Sequence, residues 1–212
     1  MKSEAPRDVG LVLAGGASKR MGSPKGLAFV GGEAIVVRVL RTQREVMRDC
    51  LISANEPELF ESLGARVIAD SRPGSGPLAG IEAGLRWVKD VGARGVFCTP
   101  SDAPFLDARL IRTILDRAGE QQAVVPMSTG PLGHEPLFGW YSVDVLPLLD
   151  SVLNAGRFAT HEFVASLSAV DHVPLSVVRT IGDPDLLFFN VNTPGDLEVA
   201  RRKEDANRRS QG

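Results

Sequence analysis

The feature that most restricts this chain is a short, almost wholly apolar run at 9–13 that leads straight into two glycines, after which strand-like and helix-like stretches alternate. A strand that is apolar on both faces must be covered on both, which is the condition of a central strand in a parallel sheet. Further strand-like runs stand at 51–54, 67–69, 95–98 and 123–127, with helical spacing at 33–48, 57–63, 78–91 and 107–118. Repeated β-α-β predicts a doubly wound, mainly parallel α/β sheet flanked by helices in three layers. Beyond 133 the alternation loosens, and the reading is a strand at 135–140, helices at 143–153 and 158–167, and a strand at 173–178. Thr193, Pro194 and Asp196 then supply a capping hydroxyl, a proline at the first helical position and a carboxylate in the first turn, so a last helix is expected from Pro194. The mixed charges at 201–212 read as a solvated, frayed tail.

A length of 212 residues fits a single domain with a sizeable core, and 43% hydrophobic against 24% charged residues argues against disorder. The net charge of -2 supplies no global field toward nucleic acid or anionic lipid, so any anionic ligand must be held by a local site. Cys50 and Cys98 lie in apolar runs and read as reduced core residues. Residues 1–8 lack the apolar region of a secretory signal, and no stretch reaches the roughly 18 apolar residues of a membrane span, so a cytoplasmic protein is expected.

In an open parallel sheet, ligands bind beyond the carboxyl ends of the strands. The loop after the first strand runs from Leu13 and Ala14 through Gly15 and Gly16 to Lys19, Arg20, Met21, Gly22 and Lys25. Glycines let backbone approach a ligand, exposed amides cradle phosphate oxygens and the cations add charge, so this loop reads as a polyphosphate grip. It matches neither the P-loop nor the G-x-G-x-x-G pattern. Gly74, Gly76 and Ala79 do fit the latter, but Pro77 removes an amide, and the segment 76–80, ending in Gly80, instead offers a glycine-lined helix start to a base or ribose.

After the fourth central strand comes Ser101-Asp102-Ala103-Pro104, where Asp102 is held between prolines at a strand end. A hard carboxylate beside a triphosphate grip suits Mg²⁺, and the alternative is an Asp that caps the helix beginning near Asp107. His134 and Glu135, adjacent in a strand, would point to opposite faces, so a metal or acid-base pair is not favoured there. His161 and His172 have no partners at metal spacing, and no serine stands in G-x-S-x-G. Asn190 and Asn192 put two amides on one side of an extended segment, either to bind a polar ligand or to end a strand.

Taken together, L-A-G-G-x-S-x-R-M-G-x-x-K at 13–25, G-P-L-A-G at 76–80, S-D-x-P-F-L at 101–106, the segment 133–141 and F-x-N-V-N-T-P-x-D-L at 188–197 resemble the molybdenum cofactor guanylyltransferases. That family has a Rossmann-like nucleotidyltransferase fold related to glycosyltransferases, and the resemblance spans nearly the whole chain. Sister cytidylyltransferases usually read L-A-A-G in the first loop and lack the N-V-N-T-P form, which favours guanine. The resemblance implies GTP over Leu13, Ala14, Gly15 and Gly16, Lys25 on its phosphates, Asn55, Asp70 and Gly80 near the nucleoside, and Mg²⁺ on Asp102. It implies a pterin substrate, molybdopterin, on Arg20, Gly22, Arg157, Asn190 and Asn192, with Arg20, Lys25 and Asp102 carrying the reaction. The nucleotide part would cover about 8–106 and the pterin part about 107–200. Two departures are Pro24, where the family often has Asp, and Ser101, where it often has Cys. Transient contact with molybdopterin-inserting proteins or molybdoenzyme chaperones is expected, and none with nucleic acid or membrane. The rival readings are a related transferase using CTP or another phosphorylated acceptor, and a non-catalytic carrier of the same ligands.

Overall fold

A computed structural model describes residues 7–15, 25–70 and 72–211, so Gly16, Arg20 and Gly22 lie outside the described residues. In chain order the elements are β1 (Asp8–Leu13), β2 (Phe29–Val30), β3 (Glu33–Ala34), α1 (Ile35–Arg44), β4 (Cys50–Ser53), β5 (Arg66–Ile68), α2 (Pro77–Asp90) and β6 (Gly95–Pro100). They continue with α3 (Ala108–Asp116), β7 (Ala123–Pro126), β8 (Trp140–Ser142), α4 (Leu146–Asn154), α5 (Thr160–Ala165), β9 (Val170–Val173), α6 (Leu175–Ile181), α7 (Pro184–Leu187) and α8 (Pro194–Gln211). Seven strands form one sheet in the order β5-β4-β1-β6-β8-β7-β9, parallel except for β8, which runs against β6 and β7.

Side chains alternate across this sheet with the two-residue period of a strand, so each strand feeds two cores. Val12, Ile52, Phe97, Val124 and Trp140 enter one core with residues of α1, α3 and α6. Leu11, Leu51, Cys98, Val125 and Tyr141 enter the other with residues of α2, α4 and α5. Both cysteines are free: Cys98 is buried and Cys50 half-buried, and desolvation pushes their thiols up to about 12 and about 11. Among the described residues no helix is long and apolar enough to cross a membrane.

The antiparallel seam depends on a glycine. A Cβ at Gly95 would stand 2.4 Å from the Tyr141 carbonyl oxygen and 2.6 Å from the Trp140 ring. Neither backbone nor a fully buried indole can yield, so Gly95→Ala is expected to cost about 3 kcal/mol, the upper end for overpacking. Urea denaturation measures this, and an unchanged midpoint would contradict the seam.

Three sequence expectations are corrected. The strand expected at 173–178 is β9 at Val170–Val173, followed by α6; Leu175, Val178 and Ile181 repeat every three residues, a helical spacing, and Val178 and Ile181 are buried. The strand expected at 135–140 is a 3₁₀ turn, Pro136–Phe138, ahead of β8, because Pro136 starts a helical turn and supplies no ladder donor. The tail does not fray: α8 continues to Gln211, and Glu204 is held bidentately by Arg38 at 3.0 Å and by Arg208 at 3.1 Å. Arg201 and Arg208 also donate to the carbonyls of Phe29 and Gly31, fastening the β2-β3 hairpin to the last helix.

Candidate active site

The carboxyl ends of β1, β4 and β6 lie side by side, with Leu13 in register with Ser53 and with Pro100. The loops continue that stitching, since Ala14 N–H donates to Ser53 O at 2.8 Å and Ser101 N–H to Leu13 O at 3.0 Å. Leu13, Ala14 and Gly15 therefore border the loop that carries Asp102. Gly15 in turn faces two other expected residues: a Cβ built on it would sit 3.2 Å from Asp70 Oδ2 and 3.5 Å from Asn55 Nδ2. Asp70 accepts from Ser53 Oγ, and burial raises its pKa against that hydrogen bond. Leu13 to Gly15, Asn55 and Asp70 thus form one wall.

Lys25 lies in a 3₁₀ turn, Lys25–Leu27, and its ammonium reaches across the opening. Nζ donates to Asn192 Oδ1 at 2.8 Å and stands 3.8 Å from Asp102 Oδ2. Gly26 makes this reach possible: a Cβ there would meet the Ser101 side chain at 2.9 Å, so only glycine lets the turn lie this close to the Asp102 loop. That role was missed in the sequence, although a glycine directly after the loop lysine was the available signal. Asp102 is largely buried, and desolvation raises its carboxyl above the usual range although Lys25 opposes the shift. It does not cap a helix; Asp107 caps α3 by accepting from Arg109 N–H at 2.7 Å.

The segment before α8 closes the crevice. Val191 N–H donates to Asp102 O at 2.9 Å, which binds the Asn190–Asn192 stretch to the acidic loop. Thr193 and Asp196 form a reciprocal cap: Asp196 accepts from Asn192 N–H and Thr193 N–H, while its own N–H donates to Thr193 Oγ1. Against a desolvation cost, those donors hold the Asp196 carboxyl below its ordinary value. Asn192 is exposed toward Lys25, whereas Asn190 Oδ1 is buried and meets no hydrogen-bond partner among the described residues.

Two further expected residues lie in α2 and in the turn after α4. Gly80 is buried in α2, where a Cβ would meet Leu13 Cδ2 and Ser53 Oγ at 2.8 Å; in this position it lets the helix pack on the sheet beneath the loop. Arg157 is exposed in the turn after α4, whose next residue reaches Gly76 at the start of α2, while Val191, between Asn190 and Asn192, bonds the Asp102 loop. His134 and Glu135 stay apart from a metal pair: His134 sits edge-on to His172 at 5.8 Å, and Glu135 interacts with Ser128. Among the described residues no group of three or more His, Cys, Asp or Glu is placed to hold a metal.

The arrangement sets one buried carboxylate and one ammonium across a backbone-lined opening, which suits an anion carried with a divalent cation. Residues 10–170 match the model of the MobA-like NTP transferase domain. A relative from Pelotomaculum thermopropionicum, named probable molybdenum cofactor guanylyltransferase, is 36% identical over 91% of each chain. A molybdenum cofactor guanylyltransferase of Sinorhizobium fredii is 36% identical over 93% of this chain and 92% of its own. In structure, molybdopterin-guanine dinucleotide biosynthesis protein A from Archaeoglobus fulgidus superimposes with a TM-score of 0.77 at 24% identity, covering 93% of this chain and 99% of that one. A Mycobacterium tuberculosis protein in complex with manganese superimposes at 0.64 with 18% identity, over 92% and 98%. These two likenesses carry the fold.

Proposed function

This chain belongs to the family of MobA-like NTP transferase domains, and from that premise we propose that it transfers GMP from GTP to the terminal phosphate of molybdopterin, releasing pyrophosphate and forming molybdopterin guanine dinucleotide. The observation that carries the reading is Lys25 set between Asp102 and Asn192, one cation shared by the acidic loop and the segment before α8. The nucleotide would lie over Leu13, Ala14 and Gly15 with Asn55 and Asp70 beside the nucleoside, and the acceptor beside Asn190 and Asn192. Arg20, Gly22 and Gly16 belong to the same proposal through the sequence, and Arg157 would act from the α4 side.

Asp102 fits a divalent cation of the Mg²⁺ kind. It is a hard, largely desolvated carboxylate, and among the described residues its ion-pair partner is Lys25 at 3.8 Å, longer than a direct hydrogen bond. With no larger ligand cluster among the described residues, an ion held by Asp102 would take its remaining ligands from phosphate oxygens and water, which is how that ion is usually held. When bound, such an ion neutralises charge on the phosphates. The chain's own residues do the rest: Lys25 draws the phosphates toward the opening, the loop amides fix them, and Asn192 orients Lys25 toward the acceptor side. Positioning two anionic reactants for in-line attack can lower a barrier by roughly 7 to 11 kcal/mol without a covalent protein intermediate. We place the reaction in the cytoplasm, where the free thiols of Cys50 and Cys98 stay reduced.

The test is transfer of label from α-³²P-GTP to molybdopterin by the purified chain with Mg²⁺. Labelled dinucleotide and one pyrophosphate per transfer are expected. Label transferred from CTP in preference to GTP would favour the cytidylyl alternative, and nucleotide binding without pyrophosphate release would favour the carrier.

A further inference from the structure

A cleft of about 330 Å³ opens beside the crevice, lined by Ser128, Gly130, Glu135, Phe188, Asn190 and Asn192 among others. That volume lies in the range of about 300–1,000 Å³ usual for small-ligand clefts. Asn192 belongs to both spaces, since it lines the cleft and accepts from Lys25. A ligand whose ring occupied the cleft would therefore direct its other end toward the Lys25–Asp102 opening.

The cleft combines the Glu135 carboxylate with aromatic walls. Glu135 is half-buried and has no cation paired to it among the described residues; Ser128 is the hydroxyl that bonds its carboxylate, and desolvation raises its pKa. The turn after β7 is folded around this carboxylate. Glu135 N–H donates to Pro126 O and Ser128 N–H to Gly133 O, and Thr129 Oγ1 clasps Asp185 at the start of α7. A Cβ at Gly130 would stand 3.2 Å from Glu135 Oε1, close enough to crowd the carboxylate. Asn190 Oδ1, buried at the same cleft, meets no donor among the described residues. Phe188 and Phe189 supply flat apolar surface.

We infer that Glu135 is a specificity-determining residue for the acceptor: its carboxylate receives the adjacent N–H groups of a flat 2-amino-4-oxo heterocycle, the donor edge of a pterin, seated against Phe188 in this cleft. The inference rests on the guanylyl-transfer reading and deepens it. A carboxylate accepts only, and two neighbouring ring donors meet its two oxygens side by side with charge assistance. A ring bearing a carbonyl in place of the 2-amino group presents an acceptor to an acceptor, and is rejected.

The test is fluorescence titration of the full chain with pterin and with lumazine, the 2,4-dioxo analogue. The unmodified chain is expected to bind pterin at least about tenfold more tightly, the value of one charge-assisted hydrogen bond at the low end. Glu135→Gln, which preserves shape and the Ser128 contact, is expected to lose that preference through weaker pterin binding and lumazine binding that is equal or tighter, because the new amide N–H can donate to the 2-carbonyl. Gly130→Ala, which crowds the carboxylate without removing it, is expected to lose part of it. Circular dichroism and GTP affinity check that each variant is folded. An unmodified chain without preference, or a Glu135→Gln variant that keeps it, overturns the assignment. Label transfer from GTP to molybdopterin is scored separately: retained transfer then confines the failure to Glu135, whereas absent transfer overturns the guanylyl reading with it.

Discussion

Asp102→Asn is expected to lower nucleotidyl transfer by at least about 10²- to 10³-fold, the usual cost of removing one preorganised charge contact, while leaving the fold as stable as before or more so. The second half follows from the direction of its pKa shift. Burial raises the folded-state value, so the folded chain holds the proton more tightly than the unfolded chain. The favourable contribution is present below the unfolded pKa and is lost as pH rises through the folded one, which leaves the ionised carboxylate as a cost near neutrality. Asn removes that cost, and Lys25 retains Asn192 as a hydrogen-bond acceptor. Steady-state rates beside thermal melts at pH 7 check both halves. A variant that melts lower and transfers at the original rate would show Asp102 to be structural.

Lys25→Ala is expected to lose about 10²- to 10³-fold in kcat/KM by the same reasoning, and Lys25→Arg to recover only part of it. A guanidinium keeps the charge, but its planar fork does not reproduce a compact ammonium placed between Asn192 and Asp102. The fold should survive, because the cap of α8 is closed locally by Thr193 and Asp196 and does not depend on the lysine. Initial rates at varied GTP, with far-ultraviolet dichroism as the check on folding, measure this. An alanine variant with undiminished kcat/KM would remove Lys25 from the site.

The parallel half of the molecule was legible in the sequence because its strands are buried on both faces and its helices follow with clear periods. Val9 to Leu13 needed no partner to be read, and Leu13, Gly15, Lys25 and Asp102 were expected beyond strand ends from the order of elements, whereas Asn55 and Asp70 were implied by the family resemblance. The second half was less legible where one apolar run serves two elements. Val173 ends β9, yet Val178 belongs to α6, and Pro174 is the only mark of the change. The tail was misread because its polar composition says nothing of the Arg38–Glu204 pairing, a contact across 166 residues of chain. The same limit hid Glu135. Its sequence reads as part of a strand, and the folded turn after β7 is what brings Ser128, Gly130 and Asn190 around it.

Whether Asp102 and Lys25 act on the same triphosphate is probed directly by the affinity for GTP with and without Mg²⁺, measured by calorimetry on the unmodified chain and on Asp102→Asn. The predicted result is that Mg²⁺ tightens GTP binding to the unmodified chain and that this gain disappears in the variant. A gain of equal size in both proteins, or none in the unmodified chain, would contradict it.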